Sequence, residues 1–388
     1  MDYVFLLNLA IILAVTKLFG MFTRKIHLPQ VVGALFAGIL LGPALLKVIH
    51  PDHVLVMLAE VGVILLMFSA GLETDFKQLR GALKSSLVVA LIGITLPLLG
   101  GFAVAHFFGQ DTMKSFFIGV ILTATSVSIT AETLQEMGKL NTKAGTVIMG
   151  AAVIDDILGI IILSVIISMG GGDMNIGAVG FTLLKICLFF VLALILGYLA
   201  FKLFDYLGNK YGNKRRLSIF GVSFCFLLAF LAEQFGVADI TGAYFAGLAL
   251  CACKAEENIQ EKSSILSYMF FSPVFFVSVG LMTSFEGLNG NTVLFAFVLL
   301  MIAILTKFVG CGLGARLCGH PKDECVQIGA GMISRGEVAI IVAAKGISAG
   351  LMEQSLFSSV IMVVIITTLI TPVFVKAAFN RKPKALKG

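Results

Sequence analysis

Two adjacent carboxylates interrupt one of the most apolar stretches of the chain. Val147-Ile-Met-Gly-Ala-Ala-Val-Ile154 runs without a polar side chain into Asp155-Asp156, and Ile157-Leu-Gly-Ile-Ile-Ile-Leu163 follows. An Asp at the centre of a membrane helix costs about 2.5–3.5 kcal/mol on insertion scales. A second one beside it adds mutual repulsion. Such residues persist as helix caps, ion-pair partners or binding groups, and capping does not suit the middle of a helix. Successive helix positions point about 100° apart. The two side chains therefore face different partners and cannot share one proton as a protease dyad would.

A counter-charge is available in a second apolar stretch, Leu305-Thr-Lys307-Phe-Val309. Pairing Lys307 with one Asp removes most of the burial penalty of both. The other Asp then serves proton and cation in turn, because an acid withdrawn from water holds its proton more tightly and lets the two compete. A monovalent cation asks for several hard oxygens. Asp156, the hydroxyls of Thr125 and Ser126, and carbonyls released by a broken helix are the candidates, with helix termini balancing the charge.

Two polar stretches are placed to supply such breaks. Thr123-Ala-Thr125-Ser126-Val-Ser128-Ile-Thr130 is rich in hydroxyls, and Met332-Ile-Ser334-Arg335-Gly336-Glu337 carries two charges. They are related by an offset of 209 residues that also relates Gly33-Ala-Leu-Phe-Ala-Gly38 to Gly242-Ala-Tyr-Phe-Ala-Gly247. Ser69-Ala-Gly-Leu-Glu-Thr-Asp-Phe76 and Ser278-Val-Gly-Leu-Met-Thr-Ser-Phe285 share it too. The offset predicts an internal repeat in which both polar stretches lie at one depth as crossing discontinuous helices. Arg335 and Glu337 are expected to hold that crossing, Arg335 pairing with Glu73 or Glu132. Glu73, ending its span, has a gating role or a place in a loop as alternatives.

The rest of the chain says what solvent these residues live in. It is 59% hydrophobic and 13% charged, with mean hydropathy +1.03. A soluble domain carries about 25% charged residues, so this chain cannot cover a globule in water. Continuous apolar runs of about 20 residues favour helices over a barrel. About thirteen spans are predicted: 3–21, 31–49, 55–73, 86–108, 115–136, 144–169, 179–203, 217–236, 239–253, 264–284, 293–317, 325–346 and 355–378. Alternate loops are basic, and one side collects 21 of the 28 Lys and Arg. That asymmetry places the C-terminus in the cytoplasm and the N-terminus outside, and it rules out a basic nucleic-acid surface. The first span lacks a signal peptide's basic start and cleavage site. The seven Cys show no metal-ligand spacing.

The expected fold is therefore an all-α polytopic membrane protein forming one transporter domain over residues 1–388. Repeat one covers 3–170, a linker helix 179–203 and repeat two 212–379. The single linker crossing inverts the second repeat relative to the first, an arrangement typical of transporters.

Gly71-Leu-Glu-Thr74, Thr123-Ala-Thr-Ser-Val-Ser-Ile-Thr-Ala131, Gly150-Ala-Ala-Val-Ile-Asp-Asp156, Lys307 and Arg335-Gly-Glu-Val338 resemble the cation:proton antiporter superfamily. The resemblance runs from about residue 25 to residue 375 and is similar to its branch of NapA- and GerN-type sodium/proton exchangers. It implies a homodimer in the inner (plasma) membrane, with six core helices moving against a dimerisation domain, and a part in pH homeostasis. It also implies that Asp156 binds the ion and that Asp155 pairs with Lys307. An Asp-Asp pair implies electrogenic exchange. No cofactor is expected beyond the transported Na+ and H+, with Li+ or K+ as alternative cargo. Because the chain stops at Gly388 after a short basic tail, no cytosolic nucleotide-binding domain is expected.

The rivals are a potassium or mixed sodium–potassium exchanger, an intramembrane aspartyl protease and a channel. A protease needs its two Asp on facing helices. A channel needs polar rings and no proton coupling.

Overall fold

A computed structural model describes residues 3–25, 28–50, 52–170, 176–211, 215–282, 290–348, 351–352 and 354–380. All regular structure among them is helical, as a bilayer requires when no water is present to satisfy backbone groups. In chain order the helices are α1 (Val4–Lys25), α2 (Gln30–Leu41), α3 (His53–Glu73), α4 (Phe76–Phe107), α5 (Thr112–Thr123) and α6 (Val127–Glu136). Then come α7 (Lys143–Gly170), α8 (Ile176–Tyr211), α9 (Arg215–Gln234), α10 (Asp239–Leu250) and α11 (Glu256–Leu266). The last are α12 (Ser272–Leu281), α13 (Gly290–Leu317), α14 (Lys322–Gly331), α15 (Glu337–Ser348) and α16 (Gln354–Phe379). A π-turn over Ser267–Phe271 joins α11 to α12.

Among the described residues, ten helical stretches are long and apolar enough to cross a membrane. The three other expected spans, 31–49, 239–253 and 325–346, correspond to α2, to α10 and to the divided pair α14 and α15. Helix α2 has 12 residues because the chain turns at Gly42–Leu46, where Leu45 and Lys47 donate to Gly42 O.

The chain forms two compact units, and neither is a continuous segment. The first comprises Met1–Phe22, Gly33–Leu79 and Asp156–Ser284. Its close crossings run through glycine. A Cβ on Gly38 of α2 would strike the Val277 carbonyl and Gly280 of α12. One on Gly71 of α3 would strike the Tyr244 carbonyl and Gly247 of α10. Around the first crossing packs a core of Ile12, Ala37, Leu41, Leu55, Val274, Val277 and Leu281. Leu184, Leu194 and Tyr198 of α8 stay exposed, an apolar face suited to lipid.

The second unit comprises Thr23–Val32, Arg80–Asp155 and Phe285–Gly388. Here α13 packs on α14 and α16, and Ser86 of α4 donates to the Val147 carbonyl of α7 at 3.3 Å. This unit holds both helix breaks and the buried lysine. The boundary between the units falls within α7, between Asp155 and Asp156.

Candidate functional site

The site begins with the break between α5 and α6. Helix α5 ends where the Thr123 hydroxyl turns back to Val120 O at 2.7 Å, a bond that competes with the helical ladder. Ala124 and Ser126 leave helical geometry, with ψ of 130° and 109°. The second break lies between Gly331 and Glu337. Extended backbone inside a membrane protein must find partners, and these two segments find each other. Ser126 N donates to Ser334 O at 2.9 Å, and the Thr130 hydroxyl donates to Gly331 O at 2.7 Å. Gly336 permits this approach, because a Cβ there would lie 2.7 Å from Ser126 Cβ. Thr368 of α16 donates its hydroxyl to Arg335 O and ties the second segment to the unit.

Lys307 of α13 ends at the first break. Its side chain is fully buried, and its three ammonium donors meet three acceptors: Thr123 O at 3.0 Å, Asp155 Oδ1 at 3.0 Å and Asp155 Oδ2 at 3.1 Å. The Thr125 hydroxyl donates to Asp155 Oδ2 as well. The ion pair thus joins α13 to α7 at the end of α5, where Thr123 and Thr125 between them touch both of its members. A buried pair is tolerable only when further hydrogen bonds support it, and here all three ammonium donors and both carboxylate oxygens are engaged. Asp156, the next residue of α7, is also buried, at 8% exposure.

A family model described as sodium/hydrogen exchanger, transmembrane, matches residues 10–381. The chain belongs to the sodium/hydrogen exchanger family. A Na(+)/H(+)-K(+) antiporter, GerN, of Bacillus cereus is 41% identical over the full length of both chains. A Na(+)/H(+) antiporter of Enterococcus hirae is 36% identical, covering 95% of this chain and 96% of its own. Among solved structures, the sodium proton antiporter MjNhaP1 of Methanocaldococcus jannaschii matches with TM-score 0.71 over 99% of this chain and all of its own. At 17% identity that match speaks for the fold alone.

The structure also places the other expected site residues of this exchanger. Thr125 was expected beside Asp156 as a cation ligand, and its hydroxyl is given to Asp155. Ser126 Oγ, in the break, lies 3.2 Å from Ser128 Oγ in the first turn of α6. Arg335 is at the crossing and 1% exposed, and it meets carbonyls. It donates to Ile333 O at 3.2 Å and Ala303 O at 3.4 Å. Ile333 lies in the break after α14 and Ala303 in α13, and a planar guanidinium can hold acceptors from both at once.

Glu132 is buried in α6, one turn beyond Ser128. Glu337 heads α15, and its side chain lies outside the described residues. Glu73 ends α3 in the first unit, half-buried, where Gln260 Nε2 donates to it at 2.9 Å. Sequence reasoning missed Thr123, whose backbone oxygen holds Lys307. A side-chain pattern carries no signal for a carbonyl contact of this kind.

Proposed function

We propose that this chain is a secondary antiporter, not an enzyme, that exchanges sodium for protons electrogenically with Asp156 as the acid that binds either ion. The observation that carries the assignment is the engagement of Asp155. Lys307 and Thr125 occupy its two oxygens, so the exchanging role falls on the neighbouring acid. A carboxylate in a site poor in water binds one cation at a time, and a proton and Na+ exclude each other there. Exposing that acid to alternate sides of the membrane couples the two fluxes. Asp155–Lys307 holds the unwound segment in place for the exchange, and Arg335 braces the second break.

Two inverted repeats are part of this proposal. The offset of 209 residues carries Gly38 onto Gly247 and Gly71 onto Gly280. The two glycine crossings, α2 on α12 and α10 on α3, are then one contact seen twice. Helix breaks after Thr123 and after Gly331 support the same correspondence. The bias of Lys and Arg supports a cytoplasmic C-terminus in a plasma membrane. The likeness in family supports a homodimer.

The test is flux through proteoliposomes that hold a pH gradient. Sodium added outside should dissipate the gradient, and the rate should change when the membrane potential is clamped. Equal rates with and without the clamp would refute electrogenic exchange. Potassium is the second reading, favoured by the name of the Bacillus cereus relative, so lithium and potassium arms run beside sodium. Dissipation by potassium but not by sodium would replace the first reading with the second.

A further inference from the structure

Lys307 is held by Thr123 and Asp155, and Gly93 of α4 comes up to its end against Cys311 of α13. We propose that Gly93 and Cys311 are positioning residues that set the reach of Lys307 to Asp155, an inference that rests on the exchange mechanism above.

Cys311 lies four positions after Lys307, so the two side chains are neighbours on one face of α13. Both are 0% exposed. Gly93 is where the backbone of α4 comes up to that face. A Cβ built on Gly93 would lie 2.5 Å from Cys311 Sγ and 3.9 Å from both Cε and Nζ of Lys307. The sulfur therefore fills the space a side chain at Gly93 would take, and that space borders the lysine's end. Below it the two helices stay close: a Cβ on Gly310 would be 3.1 Å from Ile92 O, and one on Gly314 would be 2.9 Å from Val89 Cα. With backbone on backbone at those levels, added bulk at Gly93 cannot be relieved by sliding α4 along α13. The sulfur has one torsion and a helix restricts it, so the displacement passes to the neighbouring lysine. Lys307 has no slack to absorb it, because all three of its donors are committed.

The test uses the full-length protein in proteoliposomes, with sodium-dependent proton flux measured across a series of pH values. Gly93→Ala should lower the rate by about tenfold or more and displace the pH of half-maximal exchange, because a packed core accommodates an added methyl only by shifting its neighbours. Adding Cys311→Ala to it should restore the rate to within about threefold and return the pH midpoint, because the obstructing sulfur is gone. Cys311→Leu, with Gly93 intact, should reproduce the Gly93→Ala profile from the other helix and covers the case in which Gly93→Ala does not fold. A double variant no better than Gly93→Ala would overturn the proposal. So would Gly93→Ala or Cys311→Leu with a wild-type pH midpoint. Failure of the exchange reading looks different: the wild-type protein itself would then show no sodium-dependent flux.

Discussion

Replacing Lys307 by Met removes the charge while keeping most of the side-chain volume. Asp155 is then left with its side chain 1% exposed and Thr125 as the remaining contact of the set. Breaking one member of a buried ion pair costs about 3–5 kcal/mol, because the other charge stays desolvated. The lost bond to Thr123 O adds about 1 kcal/mol. Asp155→Leu should cost a similar amount by stranding the ammonium. The double variant Lys307→Met/Asp155→Leu strands neither charge, and such apolar replacements are often neutral. It should be at least as stable as either single variant, with a coupling energy of about 2–3 kcal/mol or more. Unfolding of the purified protein in mixed micelles, titrated with denaturing detergent, gives the three free energies. Additive losses would refute the claim that Asp155 and Lys307 act as one unit.

Further outcomes follow from the contacts around this pair. Thr125→Val should destabilise by about 1.5–3 kcal/mol, since it removes a buried hydrogen bond to a charged acceptor, while Thr125→Ser should keep most of it. Gly247→Ala pushes a Cβ into the Phe68 carbonyl and Leu72 N of α3 and should lower stability by about 1–3 kcal/mol. Gly290→Ala, which meets open space, is the control on the same assay. Asp75 precedes α4, and the Gln78 and then the Lys77 N–H groups bonded to its carboxylate hold it below the usual carboxylate range. Its contribution is present above the unfolded value near 3.8 and fades as pH falls through the lower folded value. Unfolding temperatures between pH 5 and 3 should therefore fall less for Asp75→Asn than for the wild type.

Much of this arrangement is legible in the residues because a bilayer enforces it. Charges at Asp155, Asp156, Lys307 and Arg335 stand out where apolar side chains are nearly obligatory, and hydroxyls near Thr125 mark where a helix yields. Partner choice is less legible. The side chain of Thr125 could serve either acid, and only the course of the break decides that it reaches Asp155. Arg335 meets the carbonyls of Ile333 in the unwound segment and of Ala303 in α13, contacts that no side-chain pattern announces. Glu73 shares a motif with Gly71 and Thr74, but α3 ends in the first unit and carries it to Gln260. The wall of Gly93 and Cys311 is invisible in sequence, since a glycine and a cysteine in membrane helices are ordinary packing residues.

The central claim is that Asp156 is the acid at which sodium and proton exchange. The most direct measurement is sodium-driven proton flux by Asp156→Asn in proteoliposomes, with the protein shown to be folded and incorporated as well as the wild type. Asparagine keeps the shape of the side chain and removes its charge, so exchange should vanish at every pH and sodium concentration. Exchange at the wild-type rate would contradict the account and move the ion site to another residue.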